Sequence, residues 1–243
     1  MAVEKISEIV IAKSMRLIAR ALATGRLKTF ASGVEHIPAD GPVLLVARHY
    51  HHLYDGLALY AAVRRPMHIV VALDWAKSEW NARWMQWLTG VARWPVILRE
   101  DALKPDRQAG VPQKNRVFVR DDATRFQRRA LRESVQLLIE GRVLVVFPEG
   151  YPNIDPNYTP KTQVNEFLPF KAGFAAIAGA ACHRLAAPLP IIPVGLQYTR
   201  AKPWVAQVKF GDPVYWTDFG SQERLVSFVE NEVKRLSGAP APA

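Results

Sequence analysis

The chain has 243 residues, is 49% hydrophobic and carries a formal net charge of +10. It can therefore bury one substantial core, and its charge favours an anionic partner such as nucleic acid, an acidic bilayer or a phosphorylated substrate. Its single cysteine, Cys182, excludes an intrachain disulfide. The sequence contains no run of about eighteen uninterrupted apolar residues, so we do not expect a membrane-spanning helix.

The first part of the chain is basic and amphipathic. Residues 4–23 place apolar side chains at helical spacing and basic side chains on the remaining face. Two interpretations are open: a helix lying on an anionic leaflet, or a helix packed on the domain with a solvated basic face. We expect residues 1–33 to form a membrane-associating helix and linker, residues 34–236 one folded domain, and residues 237–243 a disordered tail.

A polar cluster follows the first apolar run. Residues 43–47 have the length and apolarity of a buried strand, and helical spacing of apolar residues begins at Leu53. The cluster comprises His49, His51, His52 and Asp55. It stands where a strand stops and a helix starts, so its side chains can project into a cleft. We interpret His49 as a base and Asp55 as the carboxylate that orients it.

A second strand and a tryptophan-rich helix come next. Residues 68–73 indicate a buried strand, and residues 74–88 indicate a helix with Trp80, Trp84 and Trp87 on one face. That face suits a membrane boundary or the mouth of an acyl-chain groove. An aromatic core face is the other interpretation.

The remaining elements alternate in type. They are a strand over 91–99, a loop over 100–121, a helix over 122–140, a strand over 143–147, a loop over 151–166, a helix over 167–181, strands over 189–198 and 205–210, and a helix over 222–236. This alternation predicts a single α/β domain with a central, mostly parallel or mixed sheet flanked by helices, preceded by the N-terminal amphipathic helix. Ligands of such sheets bind beyond the carboxyl ends of the strands. His49, Arg99, Glu149 and, more weakly, Gln197 stand at such ends.

Four sequence blocks carry a family resemblance. The blocks LLVARHYHHLYDG, WPVILR, VLVVFPEG and IIPVGL occur in this order between residues 34 and 196. Together they resemble the glycerolipid acyltransferase family, the PlsC-like 1-acylglycerol-3-phosphate acyltransferases. The resemblance implies transfer of an acyl group from acyl-CoA or acyl-carrier protein to a glycerol-phosphate-type acceptor, such as lysophosphatidate, in phospholipid synthesis. It implies no metal, no cofactor and no covalent acyl-enzyme.

The resemblance also implies residue roles. His49 would be the general base and Asp55 its partner. Arg99 and the Glu149-Gly150 turn would bind the acceptor phosphate, with Lys171 as a further phosphate contact. The partners implied are the acyl donor, a lysophospholipid acceptor and the phospholipid membrane surface, with the protein peripheral or monotopic on the cytoplasmic face of the cell membrane.

The sequence departs from the family pattern at two places. The commonest spacing leaves four residues between His and Asp, but Tyr50 occupies that position; His49 leaves five residues and His51 leaves three. We favour His49 because Ala47-Arg48-His49 matches the family's residue-histidine position directly after the strand. Tyr151-Pro152 replaces the usual threonine and arginine after FPEG, which leaves the identity of the acceptor open.

Two other function classes compete. The cluster of His49, His51, His52 and Asp55 could serve a metal-dependent hydrolase, although the Asp-His pair that would normally follow such histidines is replaced by His52-Leu53. A basic membrane-binding or nucleic-acid-binding module without catalysis is the second class. The basic residues are dispersed over several helices without a recognition motif, so we expect no nucleic-acid partner.

Overall fold

The computed structural model describes residues 24–104, 117–156 and 158–238, together with residues 14, 17 and 21. The strands are β1 (Leu27–Ser32), β2 (Val43–Ala47), β3 (Met67–Ile69), β4 (Val71–Ala72), β5 (Val96–Ile97), β6 (Val143–Val146), β7 (Ile191–Thr199) and β8 (Trp204–Phe210). The helices are α1 (Tyr54–Ala62), α2 (Glu79–Val91), α3 (Arg120–Ile139), α4 (Gly173–Cys182) and α5 (Gln222–Leu236). None of the helices in these ranges is long and apolar enough to cross a membrane.

The main sheet has six strands in the order β1-β8-β7-β2-β6-β3. Strands β7, β2, β6 and β3 run parallel to one another. Strand β8 is antiparallel to β7, and β1 is parallel to β8. Strands β4 and β5 form a separate parallel pair. The predicted α/β domain with a mixed, mostly parallel sheet is therefore confirmed.

The core lies on both faces of β2. All five residues of this strand are fully buried, as expected for a central strand of a parallel sheet covered on both sides. Because side chains alternate along a strand, Val43 and Leu45 pack in the cluster that contains α1, whereas Leu44 and Val46 pack in the cluster that contains α3, α4 and α5. Packing on both faces therefore fixes the position of β2, and this position determines where the chain leaves the carboxyl end of the strand.

The strand predicted over residues 68–73 is divided between the two sheets. The Val70 amide donates to the carbonyl of Val145 in β6, whereas the Val71 amide donates to the carbonyl of Pro95, next to β5. The chain therefore leaves the main sheet after β3 and starts the small sheet as β4. The strand predicted over 91–99 shrinks to β5, since α2 extends to Val91.

Two helices begin later than predicted. Helix α2 starts at Glu79, because the Ser78 side chain accepts a hydrogen bond from the Asn81 amide and caps the helix there. Helix α4 starts at Gly173 rather than at residue 167. The preceding segment contains Pro169, which has no amide hydrogen, and the Phe170 amide donates to Glu230 of α5 instead.

Strand β1 lies where the sequence suggested a basic linker. Its six residues pair in parallel with β8 at the edge of the sheet, so the folded domain begins before residue 34. Helices α1, α3 and α5 are confirmed, α5 with the predicted bounds. Apart from residues 14, 17 and 21, the N-terminal helix predicted over 4–23 falls outside the described residues, as do residues 239–243 of the predicted tail.

Candidate active site

Three neighbouring strands bring the polar residues together. His49 lies two residues beyond the end of β2, Glu149 three residues beyond the end of β6, and Tyr198 in the last part of β7. Strand β2 lies between β6 and β7 and is parallel to both. The carboxyl ends of the three strands therefore meet at one edge of the sheet, which is where ligands of α/β sheets bind.

The centre of the site is a hydrogen-bonded His–Asp pair. The Nδ1 atom of His49 lies 2.8 Å from Oδ2 of Asp55, which is 1% exposed in the first turn of α1. The same oxygen accepts the amide hydrogens of Tyr50 at 2.7 Å and His51 at 3.0 Å. The other carboxylate oxygen accepts the hydroxyl of Tyr198 at 2.8 Å. Four donors thus converge on Asp55, as an ionised carboxylate requires when it is buried.

Tyr198 is a part of the site that the sequence patterns did not indicate. Burial and the neighbouring Asp55 raise the pKa of Tyr198 well above its ordinary value, so its hydroxyl keeps its proton and remains a donor. The residue lies next to Gln197, for which the strand-end argument gave a weak signal. No local pattern could have chosen Tyr198, because its partner is 143 residues away.

The pair fixes the tautomer of His49. Because the Asp55 carboxylate only accepts, Nδ1 of His49 carries the hydrogen and Nε2 keeps its lone pair. The imidazole stacks on Phe147 with ring centroids 4.5 Å apart, lines an apolar pocket and is 17% exposed on its side chain. His49 is therefore oriented as a general base that can take a proton from a hydroxyl.

The other two histidines have different surroundings. Nδ1 of His51 lies 3.2 Å and 3.3 Å from the amides of Leu53 and Tyr54 and accepts their hydrogens at the start of α1. Burial, reinforced by the nearby His52, lowers the pKa of His51 to about 4, so this ring is neutral at neutral pH. His52 faces the carbonyl of Ile154. His49 is thus the histidine whose ring contacts the Asp55 carboxylate.

The metal interpretation finds no support in this arrangement. The Nδ1 atoms of His49 and His51 are engaged by Asp55 and by backbone amides. Within residues 24–104, 117–156 and 158–238, no group of three or more His, Cys, Asp or Glu side chains is arranged to hold a metal ion.

Glu149 holds the backbone of His49 instead of facing a cleft. One carboxylate oxygen accepts the His49 amide at 2.8 Å, and the other accepts the Leu168 amide at 3.0 Å and the ammonium group of Lys161 at 2.6 Å. Lys161 also donates to the carbonyl oxygen of His49 at 2.9 Å. The side chains of Glu149 and Lys161 are both fully buried. The pair therefore clamps His49 from both sides, which differs from the acceptor-binding role expected for Glu149.

The arginine that precedes His49 supplies a second buried cation. Arg48 is 2% exposed, and its guanidinium lies over the rings of Phe167 at 4.2 Å and Tyr50 at 5.0 Å. Burial lowers the pKa of Arg48, while Glu149 and Asp55 act in the opposite direction. The positive charges of Arg48 and Lys161 together balance the negative charges of the buried Asp55 and Glu149 carboxylates.

Arg99 is also engaged within the protein. Asp74 follows β4 and Arg99 follows β5, so the ends of these parallel strands bring the two side chains together. Asp74 is 1% exposed and accepts from Nε at 3.0 Å and from Nη2 at 2.6 Å, and Nη1 donates to the Gly150 carbonyl at 2.8 Å. The guanidinium lies 3.9 Å from the centre of the Tyr151 ring. Arg99 therefore supports the Glu149-Gly150 turn, and its guanidinium nitrogens already donate hydrogen bonds within the protein.

Lys171 is the exposed cation of the predicted set. Its side chain is 54% exposed and its ammonium group lies 3.3 Å from Asp101. Gly150 has a φ of 75°, and a Cβ atom built there would lie 3.4 Å from that ammonium group. The small turn residue therefore leaves Lys171 room beside the site. Tyr151, which stands where the family has threonine, is buried and donates its hydroxyl to Asp101 at 2.7 Å.

An apolar pocket of about 360 Å³ leads away from His49. Its lining includes Phe147, Leu57, Ile69, Met85, Tyr60 and Trp94. The Tyr60 hydroxyl donates to the carbonyl of Met67, which is level with Val143 and hence with Val43 at the start of β2. The pocket lining therefore includes both the His49 ring, beyond the end of β2, and Tyr60 near the carboxyl end of α1.

Such a site defines an enzyme class. An oriented imidazole that lines an apolar pocket is equipped to deprotonate a hydroxyl next to a bound hydrocarbon chain. A family model described as Acyltransferase matches residues 28–197. The chain belongs to the acyltransferase family, and the enzyme class expected from the sequence is confirmed.

A solved structure shares the fold. The 1-acyl-sn-glycerophosphate (LPA) acyltransferase PlsC from Thermotoga maritima superposes with a TM-score of 0.61 at 19% identity, over 96% of this chain and 81% of that chain. At this identity the likeness shows a common fold. A comparison with curated proteins finds no match.

The histidine assignment makes a first prediction. We expect His49→Ala to lower kcat by roughly two to four orders of magnitude, because the proton acceptor is removed. We expect His51→Asn to keep most of the activity, because an asparagine oxygen can accept the same amide hydrogens at the helix start. Steady-state kinetics on both variants provide the check. A loss in His51→Asn with full activity in His49→Ala would reverse the assignment.

The buried ion pair makes a second prediction. We expect Lys161→Met to reduce the free energy of unfolding by roughly 3–5 kcal/mol, because Glu149 would be left buried without its cation, and to reduce kcat because His49 loses a donor. Adding Glu149→Gln should restore part of the stability. Urea unfolding measures the loss of stability in Lys161→Met and its partial recovery in the double variant, and steady-state kinetics measure kcat. Lys28→Met, at an exposed position, is the matched control. Equal stability of Lys161→Met and Lys28→Met would contradict the clamp.

Proposed function

We propose that this protein transfers a fatty acyl group from a thioester donor, acyl-CoA or acyl-carrier protein, to a hydroxyl of a glycerol-phosphate-type acceptor in phospholipid synthesis. The observation that carries the proposal is the His49–Asp55 pair, 2.8 Å apart in the lining of the apolar pocket. The fold it shares with a 1-acyl-sn-glycerophosphate acyltransferase makes lysophosphatidate the first acceptor to test.

The reaction follows from the orientation of His49. Nε2 accepts the proton of the acceptor hydroxyl as its oxygen attacks the thioester carbonyl carbon, and Asp55 stabilises the imidazolium that forms. The tetrahedral intermediate then collapses, the carbon–sulfur bond breaks, and the imidazolium returns the proton to the thiolate. The products are an ester and a free thiol. The reaction as written uses no metal, no cofactor and no covalent acyl-enzyme.

The acyl chain would occupy the pocket. Its lining is mostly apolar, and its volume of about 360 Å³ falls within the usual range for small-molecule sites, about 300–1,000 Å³. With the chain bound, the thioester would lie beside the imidazole. Each buried methylene would stabilise the complex by about 0.8 kcal/mol, so chain length should strongly affect affinity.

The acceptor phosphate would lie at the polar part of the same pocket, where Arg99 and Gly150 line it together with His49, and within reach of Lys171. Lys171 is exposed and can turn from Asp101 towards an anion, since their separation of 3.3 Å at the surface implies only a weak pairing. Arg99 and Glu149 would act on the acceptor indirectly, by holding the turn and the base. We therefore assign the direct phosphate contact to Lys171.

The location follows from the substrates. A lysophospholipid acceptor resides in a membrane, and a net charge of +10 favours adsorption to an anionic leaflet. We place the protein peripherally on the cytoplasmic face of the cell membrane, where it would meet the proposed thioester donor and the membrane-resident acceptor.

The transfer reaction is tested by thiol release. We expect the purified protein to release CoA from acyl-CoA in an acceptor-dependent manner, with the highest kcat/KM for lysophosphatidate among lysophospholipids and glycerol phosphate, and the acylated acceptor to appear by mass spectrometry. His49→Ala is the control, because it removes the base without touching the acceptor side. Thiol release that is independent of every acceptor would instead indicate a thioesterase.

The pocket assignment makes a further prediction. Ala92 lines the pocket at the end of α2 and is 9% exposed. We expect Ala92→Phe to lower kcat/KM for long-chain donors by about tenfold or more while short-chain donors are used as before, because the ring fills space that only a long chain reaches. Ala61→Phe, on the exposed side of α1, is the matched control. An equal loss of kcat/KM for donors of all chain lengths would show that the acyl chain does not bind in this pocket.

A further inference from the structure

Helix α2 exposes an unusually apolar surface. We define the tryptophan stripe as the exposed residues Trp80, Trp84, Trp87, Leu88 and Val91. The exposed fractions of the three tryptophans are 72%, 49% and 57%. Trp84 stacks on Trp87 with ring centroids 4.9 Å apart, and on Trp80 at 6.4 Å. The stripe therefore forms one continuous patch, which a soluble surface seldom exposes without a binding partner. The sequence left open whether these tryptophans face outwards or form an aromatic core face, and the structure shows that they face outwards.

The stripe is continuous with the substrate pocket. Leu88 belongs to the stripe and also lines the pocket, together with Met85 and Thr89 from the same helix. A hydrocarbon chain that leaves the pocket over α2 therefore meets the tryptophan side chains directly. Indole rings favour the boundary between lipid headgroups and acyl chains, where one edge is apolar and the N–H remains hydrated.

A basic groove lies on the adjacent side of the same helix. We define the arginine groove as the cavity of about 590 Å³ between α2 and α3 that includes Gln86 and Gly90. Four arginines line it, Arg93, Arg129, Arg132 and Arg184, with Glu133 as the acidic residue of the lining. Arg129 pairs with Glu133 at 2.7 Å and Arg93 with Glu140 at 2.8 Å. The lining keeps an excess of positive charge beside the stripe.

We propose that the tryptophan stripe and the arginine groove form the surface with which this protein docks on a bilayer containing anionic phospholipids. The indoles would insert at the level of the headgroups, and the groove would hold lipid phosphates by charge-assisted hydrogen bonds. The inference rests on the proposed function only in that a membrane-resident acceptor requires a docked enzyme. It identifies α2 as the element that contacts lipid and opens the pocket to the membrane.

Vesicle binding tests the surface independently of catalysis. The probes are phosphatidylcholine vesicles with and without phosphatidylglycerol, and the measurement is co-sedimentation together with the blue shift of tryptophan fluorescence. We expect Trp80→Ser/Trp84→Ser/Trp87→Ser to weaken binding to the anionic vesicles by about tenfold or more. We expect Arg129→Gln/Arg132→Gln to remove the preference for phosphatidylglycerol.

Matched controls come from other surfaces. Phe30 is 61% exposed on β1 and Phe228 is 44% exposed on α5, so Phe30→Ser/Phe228→Ser removes exposed aromatic area away from α2. Lys28→Gln/Arg224→Gln removes two exposed positive charges there. Both control variants should bind vesicles like the wild type. A decrease of the same size in vesicle binding by the control variants would show that the protein binds lipid through its total charge and exposed apolar area. That result would overturn the proposal.

Activity measurements separate docking from chemistry. With a short-chain thioester and a water-soluble acceptor, the triple tryptophan variant should transfer acyl groups at the wild-type rate; with an acceptor embedded in vesicles it should be slower by about tenfold or more. Vesicle binding by the stripe in a protein without acyl transfer would refute the proposed function and leave the docking surface standing.

Unchanged vesicle binding by the triple variant would also overturn the docking surface. Two accompanying observations would then identify what covers the stripe. Unchanged binding with a lowered Tm would show that residues of this chain, such as the segment 1–23, cover the stripe. A wild-type dimer that becomes monomeric in the triple variant, without a change in vesicle binding, would show that a second copy covers it.

Discussion

The hydrogen bonds that converge on the Asp55 carboxylate organise the site. A buried carboxylate is stable only when its oxygens are satisfied, and here the donors are the ring of His49, two backbone amides and the Tyr198 hydroxyl. The amides belong to the turn between β2 and α1, so one carboxylate fixes the turn, the start of the helix and the tautomer of His49. The local structure and the proposed catalysis therefore depend on the same charge.

Charge balance explains why so many ionisable groups can be buried together. Asp55 and Glu149 are offset by Arg48 and Lys161 around the backbone of His49, and Arg99 is matched by Asp74 in the adjoining turn. Burying such pairs gives little net stability, but leaving one partner alone is costly. The network thus acts chiefly to define one conformation of His49. It also leaves Lys171 as the exposed cation among the predicted binding residues.

Helix α2 links the chemistry to the surface. Its inner side contributes Met85 and Thr89 to the pocket, its outer side carries the tryptophan stripe, and Arg93 of the arginine groove lies two residues beyond its end. In the proposed function, this one helix would contact the acyl chain on its inner side and lipid on its outer side. The acyl chain of an amphiphilic substrate would then reach His49 without crossing water.

The sequence by itself determined the elements whose signals are local: the apolar run of β2, the helical spacing of α1 and α5, and the position of His49 and Asp55 at their junction. Periodicity and strand-end position require only neighbouring residues. The tertiary structure alone decided that Lys161, Tyr198 and Asp74 complete the site, and that β1 belongs to the sheet. Their partners lie 112, 143 and 25 residues away in the chain, and contacts over such separations exist only after the strands have assembled.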